Sequence, residues 1–214
     1  MHIIKTSIGG SMLVFLKENS YSITKMIINQ VGMTIFGTVL AFATSMNQTL
    51  FLATSLFSIA FYLTLLYSMT WELGAKDKIR VDSGRMTQKP LLGMKLSAIA
   101  NAPNIILVFL LFVGFVFGSK SIGIAKAWAG TLYFITNQVL RLWMGMYLGT
   151  INYLLPKIQT VVNDQVITTA DIYSFLNPVF FLLAILPSVL VCAAAYYFGL
   201  KGIRLSSYFK AKTN

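Results

Sequence analysis

The chain has 214 residues, of which 57% are hydrophobic and only 11% charged, and its mean hydropathy is +0.73. An ordinary soluble domain carries about 25% charge, so the composition excludes a soluble globular domain, a disordered chain and a disulfide scaffold, and marks an integral membrane protein. The charge is also one-sided, with 17 Lys and Arg against 6 Asp and Glu for a net +11.

The first 23 residues are modestly apolar, with Ile4, Ile8, Met12 and Leu16 at helical spacing and Gly9 and Gly10 between them. Lys17-Glu18-Asn19 follows Leu16 where a signal peptide would carry a small-residue cleavage site, so residues 1–23 read as an uncleaved, interfacial amphipathic arm. Apolar runs over 24–45 and 50–71 are each close to the roughly 20 residues that cross a hydrocarbon core, with Met46-Asn47-Gln48-Thr49 as the tight connection. Asn47-Gln48-Thr49 matches a glycosylation acceptor, but its closeness to two spans makes chance the better explanation.

Residues 72–95 change character abruptly, with six bases and three acids. Glu72 and Lys76, four apart, and Asp77 and Arg80, three apart, are favourable pairs on a helix surface, so the second span is expected to continue as a polar helix to Ser83-Gly84. Pro90 suits the first turn of the next helix. A third span is expected over 96–118, interrupted near its start by Asn101-Ala102-Pro103-Asn104, and a last one over 174–199, opened by Asn177-Pro178 and containing Pro187. Between them, one long apolar stretch is broken only by Thr136-Asn137-Gln138 and Arg141. It reads either as one tilted helix or as a hairpin of two spans, 121–140 and 142–160.

Charge bias chooses between these. Cytoplasmic loops are enriched in Lys and Arg. Six spans with a cytoplasmic N-terminus put 14 of the 17 bases inside, including the loop 72–95 and the tail 200–214, with Arg141 at a turn. Five spans leave ten inside against six outside and strand Arg141 in lipid, at about 2.5–3.5 kcal/mol on the insertion scale. The expected fold is therefore an all-α integral membrane bundle of six transmembrane helices, with five as the alternative. It would lie in a cell inner membrane with both termini cytoplasmic.

The chemistry-bearing residues are few. One Cys, Cys192, and one His, His2, cannot assemble a zinc site; the six carboxylates all lie outside the strongly apolar runs, whereas proton-coupled pumps carry ionisable groups within them. No Gly-rich phosphate loop is present. No cofactor or metal is expected, and the chain reads as a non-enzyme; an intramembrane enzyme acting on lipid would have only Glu72, Asp77 and Arg80 as a nucleus. The aromatics lie in the apolar runs and the bases at their ends, which is the pattern of membrane anchors and not of a nucleic-acid surface.

Three sets of residues are candidates for function. Asn101, Asn104, Asn177 and Arg141 are polar groups in or beside broken spans, and transporters place substrates where interrupted helices expose backbone; the third and sixth spans would be equivalents in an inverted repeat. Gly114 with Gly118 and Gly145 with Gly149 are small-xxx-small pairs that let helices approach closely, within the bundle or in a homodimer. Glu72, Asp77, Arg80, Asp82 and Arg85 mark the central loop as a docking element, and its bases would also attract anionic lipids.

The stretch from Trp71-Glu72-Leu73-Gly74-Ala75-Lys76-Asp77-Lys78-Ile79-Arg80 through Met86 resembles loops in small uncharacterised polytopic membrane proteins of Gram-positive bacteria. The resemblance implies that the loop is a specific element and carries no activity with it. The leading expectation is a non-catalytic membrane subunit of a transport or export system, whose loop docks a soluble ATPase or another membrane subunit. The competing one is a scaffold or regulator that binds lipid or another membrane protein without transport.

Overall fold

The computed structural model describes residues 8–120, 124–155, 157–162, 165–170 and 177–203, with side chains over 12–118, 127–155 and 177–203. Helix α1 runs unbroken from Ile8 to Thr44. Lys17-Glu18-Asn19 does not interrupt it: Asn19 and Ser20 turn their side chains onto the carbonyls of Phe15 and Lys17 in the preceding turn. From Ile8 on, the expected interfacial arm is therefore the first part of the spanning helix.

The turn at 45–47 leads into α2 (Gln48–Asp82). Asn47 caps it, its side-chain oxygen accepting the N–H groups of Thr49 and Leu50 at 3.0 and 3.1 Å. Thr44 and Thr54 bond across the turn at 3.1 Å. The polar end of α2 stops at Ser83, followed by Gly84 at φ +68°, a left-handed conformation suited to glycine.

The range expected for a third span is two helices, α3 (Leu92–Ala100) and α4 (Ala102–Lys120), bent by 56° at Asn101. Pro103 explains the break, since it lacks an N–H and its ring clashes with the carbonyl four residues back. After α4 the chain returns antiparallel as α5 (Ile124–Trp143), held against it at Gly114, where an added Cβ would lie 2.7 Å from the Tyr133 nitrogen.

The region 121–160 differs most from expectation. Helix α5 passes through Arg141 and stops at Trp143; a single 3₁₀ turn, Gly145–Tyr147, and a short α6 (Leu148–Leu154) follow. Successive contacts run from Thr34 at Trp143 and Gly145, through Gly37 at Met146, to Phe51 at Gly149. The chain thus reaches the level of Thr34 and climbs back toward the α1–α2 turn without crossing, as a re-entrant hairpin. The last residues of the expected fifth span, 157–160, belong instead to strand β1 (Lys157–Val162), paired antiparallel with β2 (Gln165–Ala170) in the register Lys157 opposite Ala170.

Helix α7 (Val179–Lys201) begins at Pro178 and ends at Gly202, φ +70°. It runs parallel to α2, with Thr70 beside Cys192 and Gly74 against Tyr196 and Gly199. Among the described residues three helices, α1, α2 and α7, are long and apolar enough to cross a membrane, or four crossings if α3 and α4 form one broken span. The structure is a helical bundle in a membrane protein, with three or four candidate crossings where six, or five, helices were expected. Its core includes the fully buried Leu96, Leu111, Phe181 and Tyr196.

Glycines set the closest approaches. A Cβ on Gly74 or Gly199 would strike the facing backbone of α7 or α2, and one on Gly93 would strike Cys192 and Tyr196. We expect Gly199→Val to destabilise the bundle by about 1–3 kcal/mol through overpacking. Gly32→Ala, at a position with no atom within 4 Å, should be neutral or stabilising by up to about 1 kcal/mol. Thermal unfolding in detergent would measure both.

Candidate functional site

Two polar regions form, one sealed in the bundle and one open at its end. The sealed one begins with the break at Asn101. The Asn101 amide nitrogen donates to the Ser97 carbonyl at 2.9 Å and to the Ser188 hydroxyl of α7 at 3.2 Å. Asn104 donates to the Asn101 side-chain oxygen at 2.8 Å and accepts from Gln30 of α1 at 2.8 Å. Gln30, Asn104, Asn101 and Ser188 therefore form one continuous chain across α1, the α3–α4 break and α7. They surround a cavity of about 10 Å³, also lined by Tyr62, Met144, Met146 and Tyr147, which holds at most a single water. Pro187 withholds one helical donor from α7, and the Tyr147 hydroxyl donates to the nearby Ala184 carbonyl at 2.9 Å.

Of the four residues expected to share a polar pathway, only Asn101 and Asn104 meet. Asn177 is exposed and caps the start of α7, accepting from the Val179 N–H at 3.0 Å; it sits outside the polar core because the helix begins just after it. Arg141, 7% exposed, bonds through Nε to Asn137 one turn back at 3.2 Å, and its Nη2 is buried without a hydrogen bond. It occupies the last turn of α5, where a cation faces the negative end of the helix dipole, and not a loop as the six-span reading placed it. Gln30, Ser97 and Ser188 were missed; the sequence signal for the first was the Asn29-Gln30 pair inside an apolar run.

The glycine pairs serve the bundle's interior. Gly114 lies against Tyr133, Gly145 against Thr34 and Thr38, and Gly149 against Phe51 and Ser55, while Gly118 is buried.

The open region is a cleft of about 460 Å³ between residues 18–25 of α1, the polar end of α2 and the start of α3. Glu18, Lys25, Glu72, Lys76, Asp77, Arg80 and Lys89 line it. Glu72 pairs with Lys76 at 3.3 Å, both exposed. Asp77 is 3% exposed and committed twice, accepting from Tyr196 of α7 at 2.8 Å and from Arg80 at 3.2 Å. The expected docking set is thus divided: Asp77 is a structural anchor that ties α7 to α2, whereas Glu72, Arg80, Asp82 and Arg85 stay exposed at that end. Glu72, Asp77 and Arg80 are each paired within their own helix, Asp77 also to α7, and no cluster of His, Cys, Asp or Glu among the described residues could hold a metal ion.

No family model matches the chain, and no curated protein or solved structure matches it either.

Two outcomes test this geometry. Asn104→Leu leaves the Gln30 amide nitrogen and the Asn101 side-chain oxygen without their buried partner and should cost about 1–3 kcal/mol, seen as a lower unfolding midpoint, with Asn29→Leu, outside the chain of bonds, much milder. In a Cys192→Ala background, Cys at position 46 and Cys at position 85 should react with a membrane-impermeant maleimide from opposite sides, and Cys at 141 or 142 from neither. Labelling at 141 from the side that labels 85 would restore a turn at that position.

Proposed function

We propose that this protein is a non-catalytic, multi-pass membrane scaffold or regulator that acts by binding at the charged cleft and conducts nothing through its centre. The contrast between the two polar regions carries the reading. Gln30, Asn101, Asn104 and Ser188 are bonded to one another around about 10 Å³, whereas the cleft of about 460 Å³ opens beside exposed charge. A transport pathway needs water-accessible polar surface near the membrane centre; a binding protein needs an accessible recess.

Orientation follows from charge. Lys17, Lys25, Lys76, Lys78, Arg80, Arg85, Lys89, Lys95 and Lys201 all belong to the end that carries the cleft, and the positive-inside bias supports a cytoplasmic position for it in a cell membrane. Both the start of α1 and the end of α7 then face the cytoplasm.

A second reading, a membrane subunit of a transport or export system, is favoured by the 56° break at Asn101 and the polar chain built on it. Purified protein in liposomes separates the two. We expect ion and water permeability, read by conductance and by stopped-flow light scattering, equal to that of protein-free vesicles. A permeability that disappears in Asn104→Leu would overturn the binding reading in favour of transport.

A further inference from the structure

The cleft continues toward the membrane interior. A second recess of about 360 Å³, lined by Lys25, Ile28, Asn29, Leu65, Ser68, Met69 and Glu72, shares Lys25, Met69 and Glu72 with the first. Along α2 the lining residues fall at 65, 68, 69, 72, 73, 76, 77 and 80, and along α1 at 18, 19, 21, 22, 25, 28 and 29, so each helix contributes one continuous face at the 3.6-residue period. The furrow between them changes chemistry along its length, from Leu65, Met69 and Ile28 inside to Lys25, Glu72, Lys76 and Arg80 outside.

Depth gives that change a meaning. Glu72 is ten residues beyond Tyr62, which lines the sealed polar core, or about 15 Å along a helix. Half the hydrocarbon thickness is also about 15 Å. With the sealed core near the membrane centre, the cleft at Glu18 and Glu72 lies at headgroup depth and the inner recess among acyl chains, with Lys25, five residues from Gln30, at the boundary between them.

The charges also select. Glu72 and Asp77 are neutralised by Lys76 and Arg80; of the other charges that line the cleft, Lys25, Lys89 and Glu18 have no ion-pair partner among the described residues, which leaves the lining one positive charge in excess. Lys25 stands where the two recesses join, and Lys89 on the far wall of the outer one. We propose that the furrow is a binding site for an anionic glycerophospholipid. Its phosphate lies between Lys25 and Lys89, its polar head in the outer cleft, where Glu18, Asn19 and Ser22 offer hydrogen-bonding groups, and an acyl chain along Ile28, Leu65 and Met69. The proposal rests on the cleft being the protein's interaction centre.

The test is retention and titration of dioleoyl phosphatidylglycerol by native mass spectrometry of the detergent-solubilised full chain, with dioleoyl phosphatidylcholine as the comparison lipid. The wild type should hold about one phosphatidylglycerol in preference to phosphatidylcholine. Lys25→Gln with Lys89→Gln should weaken that binding about tenfold or more, while Lys17→Gln with Lys201→Gln, which removes the same charge elsewhere at that end, leaves it intact. Equal losses in both double variants would reduce the effect to diffuse electrostatics and overturn the site, as would full retention in the cleft variant. Displacement of the lipid by millimolar glycerol phosphate would mark a site for a soluble phosphate and overturn the lipid assignment. Membrane permeability in the liposome assay would sink the binding reading without altering lipid retention, so the two failures are distinct.

Discussion

A helix interrupted inside a bilayer leaves N–H and C=O groups with no water to receive them, and each must find its partner within the protein. The described residues contain two such interruptions, and side chains bond at both. At the end of α5, Thr34 of α1 donates to the Trp143 carbonyl at 2.7 Å. At the start of α6, Ser55 of α2 both donates to the Met146 carbonyl at 2.8 Å and accepts the Thr150 N–H at 3.2 Å. At the α3–α4 break the Asn101 side chain adds a second bond to the Ser97 carbonyl, which already accepts the Asn101 backbone N–H, and ties the break to Ser188 of α7. Thr34, Ser55 and Asn101 are therefore what allows a chain with three long spans to carry a bent helix pair and a re-entrant hairpin between them.

The sequence made the long elements readable because their signal is local. Apolar length marked α1, α2 and α7, and the spacing of Glu72, Lys76, Asp77 and Arg80 marked the polar extension of α2. The α3–α4 break was also visible, since Pro103 acts on its own helix. The α5–α6 break was not, because no Gly or Pro marks a turn between Tyr133 and Gly145, and the residues that make the break tolerable lie about 90 to 110 positions away in sequence. Charge alone places Arg141 at a turn, whereas it is the last-turn cation of a helix that ends two residues after it, at Trp143. The docking loop was legible as a charged element, but not the burial of Asp77, which depends on Tyr196 of α7 arriving beside it.

The re-entrant hairpin also reconciles the charge count with a smaller number of crossings. Exchanging two spans for a hairpin that enters and leaves on one side changes the number of crossings by two, so both ends of the described bundle remain together. The six-span and four-crossing arrangements thus share the same distribution of bases, apart from Arg141. Charge bias alone cannot tell them apart, because it reports the parity of the crossings and not their number.

The dependence of the α5–α6 break on Thr34 and Ser55 bears on how the chain is assembled. With Lys126, Asn137, Gln138 and Arg141 along it, α5 is too polar to partition into lipid by itself, and α6 is too short to do so. Biogenesis must therefore be sequential. The α1–α2 hairpin has to be seated first, as a template whose hydroxyls and glycine-sized recesses await the later segment. Only then does α5 leave the insertion machinery into protein rather than lipid, so a lesion in α1 or α2 would be felt as failed insertion of residues about 90 to 110 positions downstream.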